Sequence, residues 1–285
     1  MKTSSFFLLS LICILSAGCN KAIPEMWTAD YNLSVMSFNL RYDTEEDGSN
    51  RWSNRKEACL AMWRAHQPSV VGIQEGLYHQ VHYLNDSQSD YAFVGVGRDD
   101  GYSAGEYAAI FYLKEQFELI ETNSFWLSET PDFPSLGWDA NNIRIATWVQ
   151  LKDIETQISI FVFNTHFDHK GKTARTESAK LLVQKIEEIA DGGAPVFITG
   201  DFNAWISNAI FEPITDKYFS ARRFASRTDN HKSFNAWGKW YVDWNLDYIF
   251  YQNANALSFQ TIIDDYGVPF ISDHYPIITH FDYSE

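Results

Sequence analysis

The run Val196-Phe197-Ile198-Thr199-Gly200-Asp201-Phe202-Asn203 begins as a buried strand and ends in a carboxylate and an amide. Its first four residues are β-branched or aromatic, the composition of a strand core. Taken alone, an Asp or Asn after a strand is an ordinary turn former or helix cap. The same break recurs along the chain. Ser37-Phe38-Asn39, Gly72-Ile73-Gln74-Glu75 and Phe163-Asn164-Thr165-His166 also close apolar runs, and Ile271-Ser272-Asp273-His274 opens the last one. Five such interruptions exceed what turn chemistry explains. Strand ends are where a rigid sheet aims polar side chains into a shared cleft.

Outward from this run, strands and helices alternate with no long linker. Strand composition covers Leu33 to Leu40, with Val35, Ser37 and Asn39 on one face, and Val70 to Gln74. It continues at Tyr91–Val96, Tyr107–Leu113, Phe117–Leu127, Ile145–Leu151 and Ile158–Phe167. The last strands are expected at Val196–Thr199, Leu246–Tyr251, Leu257–Ile263 and Tyr275–Phe281. Helices are expected from a Ser53 cap to about His66, stopped by Pro68, and from Tyr78 to Asn85. The clearest helix is Ala174 to Ala190, with Ala179, Leu182, Val183, Ile186 and Ile189 on one stripe, a spacing that calls for packing on a sheet. Strands outnumber helices and several are consecutive, so mixed sheets with outer helices fit better than a barrel of βα units.

The 285 residues, 45% hydrophobic and 16% aromatic, exclude disordered, collagen-like and coiled-coil classes. A net charge of −15 argues against a broad basic footprint on nucleic acid. It does not argue against a small phosphate ester held through a metal ion. Asn39, Glu75, Asp201, Asn203 and Asp273 offer hard oxygen donors, the chemistry of Mg²⁺ or Mn²⁺ rather than zinc. His166 and His274 add groups that neutralise a phosphoryl oxygen or move protons.

Ser-Phe-Asn-Leu-Arg at 37–41, Gly-Ile-Gln-Glu at 72–75, Asn-Thr-His-Phe-Asp at 164–168, Gly-Asp-Phe-Asn at 200–203, Leu-Asp-Tyr-Ile at 246–249 and Ser-Asp-His-Tyr-Pro at 272–276 resemble, in order, the endonuclease/exonuclease/phosphatase superfamily. The resemblance implies an α/β fold of the deoxyribonuclease I type, a four-layer sandwich of two mixed sheets with helices outside. It also implies divalent-metal-dependent cleavage of phosphate esters. Carried onto this sequence, Glu75 is the main metal ligand, with Asn39 and Asp273 also at the metal. Asp201 orients or deprotonates the attacking water, and Asn203 holds the phosphate or that water. His166 donates to a non-bridging oxygen, and Asp273 fixes the tautomer of His274 at the scissile phosphate. The family leaves open one metal or two, and the identity of the base. Arg41 and Arg144 are candidate phosphate clamps. Asp247 is assigned to substrate binding, with Leu246 standing where the family usually has Ile.

Met1-Lys2-Thr3, the apolar run Phe6 to Leu15, and Ser16-Ala17-Gly18-Cys19 read as an export signal. The end is similar to a bacterial lipobox, with Ser16 where Leu is commoner. The expected organisation is therefore a signal at 1–18, a tether at 19–29 lipidated on Cys19, and one catalytic domain at 30–285. The product would be a monomeric, membrane-anchored lipoprotein of the cell envelope. Loss of Lys2 takes the charge from −15 to −16. Cys59 is then the one remaining non-lipidated cysteine and reads as core filler. Export and acidity together favour a small or exposed phosphoester, a phosphodiester first, over a long nucleic acid. A secreted nuclease is the alternative, and a non-catalytic glycan-binding lipoprotein is the alternative of another class. The Trp-rich segment 235–244 is expected to pack on its own domain as an aromatic flap.

Overall fold

The computed structural model describes residues 31–190, 192–239 and 244–283. The signal, the tether and Cys19 lie outside these residues. Twelve strands occur in chain order: β1 Leu33–Asn39, β2 Val70–Gln74, β3 Tyr91–Val94, β4 Ile110–Leu113, β5 Phe117–Trp126 and β6 Ile145–Asp153. They continue with β7 Ser159–His166, β8 Val196–Asp201, β9 Phe219–Ser220, β10 Asp247–Gln252, β11 Asn255–Thr261 and β12 Ile277–Asp282. The three long helices are α1 Trp52–His66, α2 Tyr78–Ser87 and α3 Lys172–Ile189.

The strands form two six-stranded sheets, ordered β11-β12-β1-β2-β4-β3 and β5-β6-β7-β8-β10-β9. Each sheet is mixed: β1–β2 and β7–β8 run parallel, and the other pairs run antiparallel. Alternation along each strand assigns its two faces. On β1, Leu33 and Val35 enter the core between the sheets, while Met36 and Phe38 pack with Cys59, Met62 and Trp63 of α1. On β8, Phe197 faces the opposite sheet, and Val196 and Ile198 pack with Leu182, Val183 and Ile186 of α3. Helix, sheet, sheet and helix thus make four layers, as the sequence predicts.

Followed toward the C-terminal ends of β1, β2, β7 and β8, the inner face turns from apolar to polar. Gln74 Nε2 donates to Ser37 Oγ at 3.2 Å and across the sandwich to Asn164 Oδ1 at 2.6 Å. Asn164 Nδ2 donates back to the Ile73 and Ala109 carbonyls at 2.8 and 2.9 Å. Thr199 Oγ1 donates to Asn164 Oδ1 at 3.0 Å. These fully buried bonds clamp one sheet to the other just beneath the site, where unpaired polar groups would be costly. Gly72 makes the approach possible. A Cβ there would fall inside contact distance of Thr199 Oγ1 and 2.7 Å from Asn164 Oδ1. Gly72→Ala is therefore expected to cost ~2 kcal/mol or more through overpacking. Denaturant unfolding checks this, and an unchanged midpoint would refute it.

Several boundaries differ from the sequence reading. Helix α1 begins at Trp52 without a side-chain cap, because a 3₁₀ turn over Glu45–Asn50 leads the chain straight into it. The strand expected from Tyr107 becomes regular at Ile110, and Tyr107 makes isolated bridges to Gly76 and Gly97. The last strand starts at Ile277 rather than Tyr275, since Pro276 has no N–H and the Tyr275 amide is used by the Ser233 carbonyl. The two-residue β9 is too short to carry a periodic signal.

Candidate active site

The strand ends meet at one end of the sandwich. In the second sheet His166 is the registered partner of Asp201, and Asp201 is the partner of Asp247. Three titratable side chains thus stand side by side on the inner face, on neighbouring strands β7, β8 and β10. Across the sandwich β1 ends in Asn39, and Glu75 follows β2. Asn39 Nδ2 donates to both Glu75 Oε1 and Asp201 Oδ2 at 3.0 Å, joining the sheets. Its Oδ1 accepts from the Arg41 amide at 2.9 Å, which sets the orientation of the Asn39 amide. Glu75 and Asn203 hold positive φ, 62° and 48°. Left-handed backbone in a non-glycine residue is uncommon and gathers at functional sites.

Asp201 is central. Its Oδ1 accepts from the Asn203 amide at 2.9 Å, and its Oδ2 lies 3.5 Å from His166 Nε2 and 3.7 Å from His274 Nε2. Burial pushes Asp201 up to about 7, with the Asp247 and Glu75 charges adding to it and His274 opposing. A carboxyl group poised near neutrality suits a general base. His274 goes the other way. Burial alone would lower it, but Asp247, bonded to Nδ1 at 2.7 Å, and Asp201 hold it up to about 10. At neutral pH it is an imidazolium with Nε2–H free to face a phosphoryl oxygen.

The Asp247 geometry corrects the expected partner of His274. Asp247, not Asp273, fixes His274, because strand register brings Asp247 beside it while Asp273 turns toward Arg41. Asp247, expected at the substrate, has one carboxylate oxygen bonded to His274 Nδ1. Asp273 instead faces Arg41, whose Nε is 3.9 Å from Asp273 Oδ2. Burial, then the charge of Glu75, raise the Asp273 carboxyl.

His166 lies differently from the expected phosphoryl donor. Asn203 Nδ2 donates to the Phe167 carbonyl and to His166 Nε2, both at 3.0 Å. With Asn203 Nδ2 donating, Nε2 accepts, which leaves the proton of a neutral ring to Nδ1; that atom has no hydrogen-bond partner among the described residues and lies 3.8 Å from Glu106 Oε2. Burial, then Arg144 and Arg98, drive His166 well below its ordinary range. Glu106 is the site residue the sequence reading missed. It stands just ahead of an expected strand, with no apolar run before it to mark a strand end.

The two proposed clamps differ in what holds them. Arg41 makes two bonds to Asp47 at 2.9 and 3.0 Å and approaches Glu75 Oε2 at 3.9 Å. It offsets the acidic cluster. Arg144 lies behind His166, against Asp168 at 3.5 Å and His169 Nδ1 at 3.2 Å, with Nη1 unpartnered and buried. Arg175 is spent on the Asp168 carbonyl at 2.7 Å. Cys59 is buried, donates to the Ile271 carbonyl and is pushed up to about 12 by burial, so it is no nucleophile.

Single ligand atoms of Glu75, His166 and Asp201 lie within 4.8 Å of one another, as do those of Asp201, Asp247 and His274. Burial first, and then the neighbouring Asp247 and Glu75 charges, raise the Asp201 and Asp273 carboxyls, so several acidic groups crowd one buried spot. A hard divalent cation fits this oxygen-rich donor set, and Glu75 would be its main carboxylate ligand. Asn39 Nδ2 holds the Glu75 and Asp201 carboxylates together beside this spot.

A two-sheet α/β sandwich with this acid–amide–histidine constellation defines a phosphoester hydrolase class, and comparison with known proteins agrees. The sequence profile described as the Endonuclease/Exonuclease/phosphatase family matches residues 36–274, and the chain belongs to that family. Its enzymes are divalent-metal-using phosphoester hydrolases. An endonuclease/exonuclease/phosphatase of Bacteroides vulgatus is 36% identical, with a TM-score of 0.84 over 88% of this chain and 98% of that one. A mannosyl-6-phosphatase of Bacteroides thetaiotaomicron is 32% identical, with a TM-score of 0.84 over 88% and 99%. The human nocturnin catalytic domain, 19% identical with a TM-score of 0.69 over 91% and 98%, shares the fold.

Proposed function

We propose that the chain is a divalent-metal-dependent hydrolase of small phosphate esters, with sugar phosphomonoesters ahead of the phosphodiesters first expected. The observation that carries the reaction type is Asp201 between two histidines of opposite character, beside Glu75. Likeness to a mannosyl-6-phosphatase supports the choice of ester, and the charge of −15 continues to disfavour long polyanions.

The division of labour follows from the geometry. Bound at Glu75, Mg²⁺ or Mn²⁺ would polarise a phosphoryl oxygen and add the positive charge the chain lacks. Asp201 orients the attacking water and takes its proton. His274 donates Nε2–H to the phosphoryl group, countering charge that develops during in-line displacement. Asp247 holds the His274 tautomer and charge, and Asn203 ties the Asp201 turn to His166.

The same reading keeps the enzyme outside the cytoplasm, tethered through Cys19. Among the described residues no helix is long and apolar enough to cross a membrane. A panel of hexose 6-phosphates, bis-aryl phosphate, phospholipid, DNA and RNA, each with Mg²⁺ or Mn²⁺ and again with chelator, tests the proposal. Turnover of a small monoester, abolished by chelator and restored by metal, is expected. No metal-dependent turnover of any ester would overturn it and favour a binding module.

A further inference from the structure

Beside Asn203 the molecule opens into a groove of about 240 Å³, lined by Asn203, Ala204, Trp205, Asn208, Trp244 and Leu246. Trp205 and Trp244 are 56% and 41% exposed, unusual for the largest apolar side chain. They meet at a ring separation of 6.2 Å and an angle of 64°. Trp244 is held from behind. Trp244 stacks on Phe234 at 5.8 Å, and Phe234 in turn lies 4.8 Å from the His274 ring. The 3₁₀ turn Ala209–Phe211 fixes Asn208, whose Oδ1 accepts from the Ile210 amide at 3.1 Å and leaves Nδ2 as a donor.

We infer that this groove is the specificity subsite for the leaving group, and that it takes one neutral hexose ring of the phosphoester; this rests on the proposed function. Three features select the occupant. The groove shares Asn203 with the reaction centre and borders Leu246, next to Asp247, so a group there is one ester link from the phosphate position. None of its six lining residues is charged, so a second phosphate has no counter-ion and a nucleotide or polynucleotide track is disfavoured. The two indoles meet as a corner rather than a parallel slot. A flat base clamped on both faces wants the slot, whereas a saturated ring lays its C–H face on one indole and turns its hydroxyls to Asn208. The volume lies below the ~300 Å³ at which drug-sized sites begin, which suits one ring and not an oligomer.

The test uses the whole chain with Mg²⁺ and compares mannose 6-phosphate with glycerol 3-phosphate, an ester without a ring. In Trp205→Ala and Trp244→Ala the ratio of kcat/KM for the hexose ester to that for the ringless ester is expected to fall at least about tenfold, mostly through KM. Trp205→Phe should recover much of it. An unchanged ratio, both esters losing rate together, would overturn the inference. Saturation-transfer NMR on methyl α-mannopyranoside, with no phosphate present, reads the groove independently of turnover. Ring-proton saturation should appear in the wild type and vanish in both alanine variants. Its absence from the wild type, or its displacement by adenosine at far lower concentration, would also overturn the inference. If neither ester is hydrolysed, the proposed function falls while the NMR experiment still decides the groove.

Discussion

His274→Gln is expected to lower kcat on the best phosphate ester by ~10²–10⁴, the range over which general acid–base and electrostatic donors act. Glutamine keeps a donor but carries no charge, and the raised His274, up to about 10, marks the charge as the asset. The single variant also leaves Asp247 and Asp201 as neighbouring cross-strand carboxyls without their cation. Removing one member of a buried pair costs about 3–5 kcal/mol, so lost activity alone would be open to a folding explanation. The double variant Asp247→Asn/His274→Gln separates the two effects. It removes the stranded carboxylate and should recover most of the melting temperature without recovering turnover. Near-normal kcat in either variant would refute the assignment of His274.

Glu75→Gln should match that loss and add a second signature. Glu75 accepts from Asn39 and the Tyr42 amide, at 3.0 and 3.2 Å, in a backbone conformation with φ of 62°. Burial would raise its carboxyl, but Arg41, Asn39 and His274 outweigh burial and keep it ionised and able to ligate a cation. The amide is nearly isosteric but neutral. Turnover is expected to fall ~10³-fold or more at saturating Mg²⁺, and Mn²⁺ binding followed by calorimetry should weaken at least ~10-fold, as when a metal's ligand environment is disturbed. Wild-type Mn²⁺ affinity in Glu75→Gln would place the cation elsewhere. The acidic excess noted from composition then has a local use in this cluster, beyond solvating the surface.

Much of the architecture was readable because its signals are local. Val196–Ile198 and Ile160–Val162 announce strands through β-branching and burial, and the α3 stripe announces a helix that must lie on a sheet. The polar endings at Asn39, Glu75, His166 and Asp201 were readable for the same reason, as breaks in apolar runs. The Trp-rich segment was read as one aromatic flap, but its described ends behave differently. Trp237 sits over Arg55, whereas Trp244 opens to the groove; residues 240–243 lie outside the described residues.

Pairing was another matter. The carboxylate on His274 is 27 positions away in sequence, while the adjacent Asp273 turns to Arg41. Glu106 comes to His166 from sixty positions earlier. Arg41 looks like a free clamp until Asp47 is found against it. The sequence by itself determined the layers, the reaction family and the members of the acidic and histidine cluster other than Glu106, because side-chain periodicity and strand-end breaks are properties of neighbouring residues. Which carboxylate charges which histidine, and which aromatic faces the substrate, only the tertiary structure decided. Strand register across two facing sheets sets those distances, and a shift of one residue would turn every one of these side chains to the opposite face.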